Sequence, residues 1–353
     1  MRTSQLEELA SALAFGSKVA APLSREKLVA ALGAVPPVPT DIHVQRGQVY
    51  EFEGVKISSL SWSVGWGKLT QALLLTPLDA IGPLPGVLYL HSHDDLKEFG
   101  KEKVAQTSSD QVPERARWVR RDHYEDRAPA NELAKRGFAV LVHDCFPWGS
   151  RGFSLEEIPP RITEIHGSAS EKEFENLSVM FESLALNKYL SLYGATMAGI
   201  LNHDDRVAVQ VAKQLPEITD SISAIGLSGG GCRAILLHAT NPELRAVVST
   251  GAMATYSSML HAHVAPHSWM FFPFNLASAG EWPEVAMISD TPLFVQFCGN
   301  DQLFTKAGME EAHQMLTKHD AGRNRYKGEF YPVQHSFTVP MQTQAFDWLT
   351  ENA

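Results

Sequence analysis

Cysteine is scarce in this chain. There are only three, Cys145, Cys232 and Cys298, an odd number without C-x-x-C spacing, so neither a disulfide framework nor a zinc ribbon is indicated and reduced, buried thiols are expected. Basic residues are also in deficit, 30 Lys and Arg against 40 Asp and Glu. The resulting net charge of -10 argues against a nucleic-acid or anionic-membrane partner, because phosphates would be repelled over most of the surface. No apolar run reaches membrane-spanning length, and Glu7 and Glu8 stand where a signal peptide would need an apolar core, so a cytoplasmic location is expected. Internal repeats and low-complexity segments are missing as well. What is present is 353 residues with 44% hydrophobic content, enough for one large α/β domain with insertions or one domain plus an appendage, and the acidic balance points to small-molecule partners.

Two helix-like patterns, LEELASALAF and SREKLVAALGAV, open the chain, the second with Ser24 as a candidate cap. PPVPT then breaks it, so residues 1–45 read as an N-terminal helical arm and 46–353 as the main domain. The arm is expected to pack on that domain or on a neighbouring subunit, a possible route to a homo-oligomer. From Val49 to Thr76 apolar and polar residues alternate as in antiparallel edge strands. The run Gly86 to Leu90 lacks alternation and suits a central strand covered on both faces. FAVLVHDCF, the run ending at Gly226, LRAVVSTGAM, PLFVQFC and RYKGEFY are further strand patterns separated by helical stretches, which indicates a parallel, doubly covered sheet. ERARWVRRDHYEDR reads as solvated loop or helix. Two insertions, about 147–195 and 255–288, leave the carboxyl ends of strands, where open α/β sheets form ligand crevices, and are expected to be lid and pocket walls.

The chain is organised around SISAIGLSGGGCRAILLHAT, Ser221 to Thr240. A β-branched run, an abrupt G-L-S-G-G turn and a helix-periodic run form the context in which G-x-S-x-G acts as a nucleophile elbow, which thrusts Ser228 out above the sheet. A serine hydroxyl needs a base to become nucleophilic, and the base needs an orienting group. Asp301 follows the strand pattern in GNDQLF, and His335 follows the next in YPVQHSF. Nucleophile, acid and histidine thus come in an order that suits a triad. Asp290 precedes its strand and Asp320 lies in a loop after a helix, which ranks both below Asp301. For the oxyanion, Gly229 N–H is one expected donor, and His93 in YLHSHDD the other, with Asp94 as the neighbouring possibility.

The stretch LAKRGFAVLVHDCFPWGSRG, the HxH loop, the D-R-containing helix before GLSGGG, GNDQLF and HSFTVPMQTQAFDWL together resemble the acetyl xylan esterase and dienelactone-hydrolase-related branch of the α/β-hydrolases, close also to prolyl-oligopeptidase-type catalytic domains. The resemblance spans roughly residues 50 to 350. It implies an α/β-hydrolase fold with a mostly parallel eight-stranded sheet, helices on both faces, lid-like insertions and no cofactor. HSHDD departs from relatives that carry glycine there. The expectation is a serine hydrolase cleaving a small-molecule carboxylic ester through Ser228, His335 and Asp301. An amidase or peptidase, or a catalytically silent binding protein of the same fold, are the other readings.

Other residues have plainer roles to weigh. Trp269, Phe271 and Phe272 in the second insertion are candidates to line a substrate pocket or to form insertion core. His261, His263 and His267 could be zinc ligands, yet no carboxylate or cysteine completes a set, so no metal is expected. Cys145 and Cys298 fall near strand ends but have no elbow. Asp204, Asp205 and Arg206 are expected to form ion pairs at a helix start.

Overall fold

The computed structural model describes residues 5–14, 22–108, 113–166, 181–259, 263–264 and 266–353. Nine strands form one sheet: β1 (Gln45–Phe52), β2 (Val55–Trp62), β3 (Thr70–Pro77), β4 (Leu84–Leu90), β5 (Ala139–His143), β6 (Ile218–Leu227), β7 (Val247–Thr250), β8 (Leu293–Cys298) and β9 (Tyr326–Tyr331), in the order β1-β2-β3-β5-β4-β6-β7-β8-β9. That is one strand more than the eight expected, because the alternating region before Thr76 folds as three antiparallel strands at one edge. From β5 to β9 every pairing is parallel.

Burial explains the order. β5 and β8 are buried at every position and sit inside the sheet, whereas β1 is mostly exposed and β9 only half-buried, as suits the two edges. Successive residues of β4 face opposite layers. Leu88 and Leu90 join the core beneath the helices Met197–Gln214 and Gly229–Thr240, while Val87 and Tyr89 join the core covered by Pro129–Ala134 and Val339–Glu351.

In the N-terminal arm, Ser24 Oγ accepts from Lys27 N at 3.3 Å and caps the helix Arg25–Leu32, whose Leu28, Ala31 and Leu32 enter the main core. Thr196 Oγ1 donates to Leu32 O at 2.7 Å, tying that helix to the start of Met197–Gln214. Asp204 and Asp205 lie in the interior of this helix rather than at its start. Both are buried, and the partner of Asp205 is Arg233 of the elbow helix, not Arg206. A third small core, Cys145, Phe146, Trp148, Leu186, Met197, Ile200, Leu201 and Met270, joins the two insertions to the carboxyl end of β5.

The chain leaves β4 towards β5 on one side and returns to β6 on the other. This reversal is a topological switch point, so the loops after β4 and β6 flank a crevice at the carboxyl edge of the sheet.

Candidate active site

β6 runs into the turn at Ser228, which has φ 58° and ψ -122° and precedes the helix Gly229–Thr240. This left-handed backbone is costly for a residue with a side chain and is held by its surroundings. Ser228 N donates to Thr250 O at 2.9 Å, and Ser228 O accepts from Cys232 N at 2.9 Å. The flanking glycines make room. A Cβ on Gly226 would fall 2.5 Å from Gly230 O, and one on Gly230 would collide with the Leu90 carbonyl. Strand, turn and helix are therefore pressed together as the motif requires, with Ser228 only half-buried.

His335 follows β9. Its Nδ1 donates to Asp301 Oδ2 at 2.5 Å, and its carbonyl lies 3.0 Å from His123 Nδ1. The Asp301 side chain is wholly buried and its other oxygen accepts from Leu303 N at 2.8 Å, so the carboxylate is fixed at both ends. His335 Nε2 is buried and has no hydrogen-bond partner among the described residues. Asp290 and Asp320 serve elsewhere. Arg323 and Arg325 reach Asp290, and Asp320 accepts from Arg325 N.

A pocket of about 260 Å³ opens over these groups and is lined by Ser228, Gly229 and His335 together with His93, Asp94 and Asp95 of the loop after β4. A Cβ on Gly229 would come within 3.0 Å of His93 N and 2.7 Å of Met270 Sδ, so the backbone at Gly229 and His93 meets under the Met270 thioether. Among the described residues neither Gly229 N nor His93 N donates to a protein acceptor.

The His93 loop is fastened from below. Lys103 Nζ donates to Ser92 O at 3.0 Å and to His93 O at 2.8 Å, and Trp148 Nε1 donates to His93 O at 3.1 Å. Burial pushes the Lys103 ammonium down to about 8, against the pull of Asp94 Oδ2 3.4 Å away. Burial alone would raise the Asp94 carboxyl, but Lys103 and His123 hold it below the usual range. Asp94 thus lines the pocket while its carboxylate is engaged by Lys103, by His123 Nε2 at 3.6 Å and by the Ser92 hydroxyl.

Of the three aromatic candidates, Phe271 lines the pocket. Trp269, 47% exposed, and Phe272, packed against the main core, are not among the lining residues. Within the short turn Trp269–Phe271, Met270 and Phe271 are buried while Trp269 is exposed, which adjacency in sequence does not reveal. The stretch read as solvated is a helix, Glu114–Tyr124, that brings Trp118 and His123 to the pocket and buries Ala116, Val119, Arg120 and Tyr124 at helical spacing amid its charges. His267 stacks on Phe271 with ring centroids 5.3 Å apart and packs on Phe304 at 4.7 Å. His263 Nδ1 and His267 Nε2 both meet Leu303 O, at 3.2 and 2.8 Å, while His261 lies outside the described residues. No group of three or more His, Cys, Asp or Glu among the described residues is placed to hold a metal. Burial raises Cys145 and Cys298 to about 12, so both are neutral thiols at ordinary pH.

A serine-bearing turn between a central parallel strand and its helix, in a sheet with an antiparallel edge, defines the α/β-hydrolase fold. The solved structures agree. The chain is similar to a glucuronoyl esterase from Solibacter usitatus (TM-score 0.62, 13% identity, 93% of this chain and 92% of that one) and to acetyl xylan esterase 1 from Thermoanaerobacterium sp. (TM-score 0.54, 13% identity, 99% and 98%). In sequence it is similar to "Putative hydrolase YtaP" of Bacillus subtilis (strain 168), 22% identical over 302 residues, 85% of this chain and 87% of that protein. No family model matches the chain. No helix among the described residues is long and apolar enough to cross a membrane.

Proposed function

We propose that this protein is a serine hydrolase that cleaves small carboxylic esters through an acyl-enzyme. One observation carries the reading. His335, which lines the pocket that also holds Ser228, is gripped at Nδ1 by a buried carboxylate and keeps Nε2 without a partner among the described residues.

In this reading Asp301 keeps the proton of the neutral ring on Nδ1, so Nε2 presents a lone pair. Ser228 Oγ bonds to the ester carbonyl carbon as its proton passes to Nε2, and the carbonyl electron pair moves onto oxygen. The N–H groups of Gly229 and His93 receive that oxyanion, each worth about 3 kcal/mol by the measured scale of such donors. When the carbon–oxygen bond to the leaving alkoxide breaks, the alkoxide takes the proton from Nε2. Water, deprotonated by the same nitrogen, then releases the acid and restores Ser228. Asp301 stabilises the imidazolium in both halves. The esterase names of the two structural neighbours support the substrate class.

A fluorophosphonate probe is expected to label Ser228. Ser228→Ala should abolish both the labelling and the hydrolysis of p-nitrophenyl acetate, and undiminished turnover in that variant would discard the nucleophile assignment.

A further inference from the structure

Glu182 is a carboxylate with no place in the chemistry above, yet it is among the most deeply engaged groups in the molecule. It opens a π-helical turn, Glu182–Leu186, in the first insertion, and its side chain is only 3% exposed. A π turn of this kind is often found where a side chain must be set for a task. Three segments converge on it. The Lys97 ammonium of the loop after β4, itself 4% exposed, pairs with Glu182 Oε2. His93 Nε2 stands 3.6 Å from the same oxygen, and Ser268 Oγ of the second insertion donates to Oε1 at 2.9 Å. Lys97 Nζ is also 3.2 Å from His93 Nε2 and 3.3 Å over the Trp148 ring, whose own N–H holds the His93 carbonyl.

Burial on its own would raise the Glu182 carboxyl, but Lys97 and His93 hold it well below the usual carboxylate range, so it is an anion at working pH. On its second branch, Ser268 Oγ accepts from Met270 N at 3.3 Å, and Met270 is the residue whose thioether covers Gly229. The two walls of the niche where Gly229 N and His93 N meet are thus fastened to opposite oxygens of one carboxylate.

We propose that Glu182 is a positioning residue for the oxyanion niche: through Lys97 it sets the loop that carries the His93 N–H, and through Ser268 it sets Met270 over Gly229. The proposal rests on the serine esterase reading and goes beyond it by making the first insertion part of the catalytic apparatus rather than a wall alone. Such a group acts on the transition state, because the oxyanion forms only there, and leaves ground-state binding of the ester nearly unchanged.

Glu182→Gln keeps the size and the acceptor for Ser268 but removes the charge that holds Lys97. With p-nitrophenyl acetate its kcat should fall about 10- to 100-fold, the scale of a misplaced rather than a deleted donor, with KM held within about twofold. Phenylboronic acid, which forms a tetrahedral adduct on the serine, should lose affinity by a similar factor. A kcat close to wild type, or a loss confined to KM with boronate affinity unchanged, overturns the proposal. Because a lone Lys97 charge could unfold the variant, Glu182→Leu with Lys97→Met serves beside it, since an apolar pair of similar volume often replaces a buried ion pair without loss of stability. That double variant should show the same fall in kcat, and wild-type turnover from it also overturns the proposal. Wild-type protein that neither hydrolyses the ester nor takes a fluorophosphonate on Ser228 removes the esterase reading and the proposal with it. Active wild type that is indifferent to both variants removes the positioning role alone.

Discussion

His143 at the end of β5 and His335 in the loop after β9 each hold an aspartate, and they have different uses. His335 donates to Asp301 and lines the pocket beside Ser228. His143, at the end of β5, lies 3.0 Å from Asp205 through Nε2, but its carboxylate is shared with Arg233, which donates from Nε at 3.0 Å and from a terminal nitrogen at 2.5 Å. Arg233 also donates to His91 O at 3.2 Å, and the whole group is sealed from solvent. A histidine beside an aspartate is therefore not in itself a catalytic sign. Each keeps one ring nitrogen without a partner among the described residues; what distinguishes His335 is its place on the lining of a pocket, and a carboxylate that no cation shares among the described residues.

The largest effect should come from the pocket-lining member of this comparison. His335→Ala is expected to lower kcat/KM by about 10⁴-fold, as removal of a triad base does, with thermal stability close to wild type. The assay is ester hydrolysis with folded protein counted by circular dichroism. A variant that keeps its rate would place His335 with His143 as a structural group.

Arg233→Met should do the reverse. It leaves Asp205 buried without its cation, a change that costs about 3–5 kcal/mol of folding free energy, while activity per folded molecule stays within a few-fold. Burial would raise the Asp205 carboxyl, but Arg233 and His143 hold it below its ordinary range, so removing Arg233 takes away the largest interaction that offsets this burial. Urea unfolding measures the loss, and adding Asp205→Leu should restore most of it. If Arg233→Met instead abolished turnover in folded protein, the line drawn between the two clusters would fail.

What the sequence makes legible follows the same division. The elbow can be read because its cause is local: Gly226, Ser228 and Gly230 lie within five residues, and the steric demand that selects them acts between neighbours. Asp301 and His335 can be read because each directly follows a strand pattern, and chain order then puts both at one edge of the sheet. The Asp205–Arg233 pair spans 28 residues across two helices that no local pattern brings together, so the sequence points only to ion pairs among the adjacent Asp204, Asp205 and Arg206. Glu182 and Lys97 are further apart still, and their meeting depends on how an insertion folds back. Trp118 and His123 hide in a stretch whose charges mask a helical spacing of Ala116, Val119 and Tyr124. Sequence shows where backbone geometry is forced; it does not show which distant polar groups will share a buried site.

A second buried cation sharpens the comparison. Arg233 is bidentate on one carboxylate, and although burial opposes it, Asp205 drives its proton affinity above the ordinary value, so it does not titrate. Lys103 is equally buried but meets two carbonyls and a carboxylate oxygen 3.4 Å away, and burial brings it down to about 8. Its folded value thus lies below the unfolded value of about 10.4. Between those limits the unfolded chain binds more protons than the folded one, so this group's contribution to stability rises with pH through the window and is flat below it. Other lysines and tyrosines titrate there too, so the observable is the difference between wild type and Lys103→Met. From pH 7.5 to 9.5 wild type should gain about 1–2 kcal/mol on the variant in urea unfolding, the smallest of these effects. A difference that stays level or shrinks would mean that Asp94 pairs with Lys103 as firmly as Asp205 does with Arg233, and that the loop carrying His93 rests on a fixed charge rather than on an amine able to lose its proton.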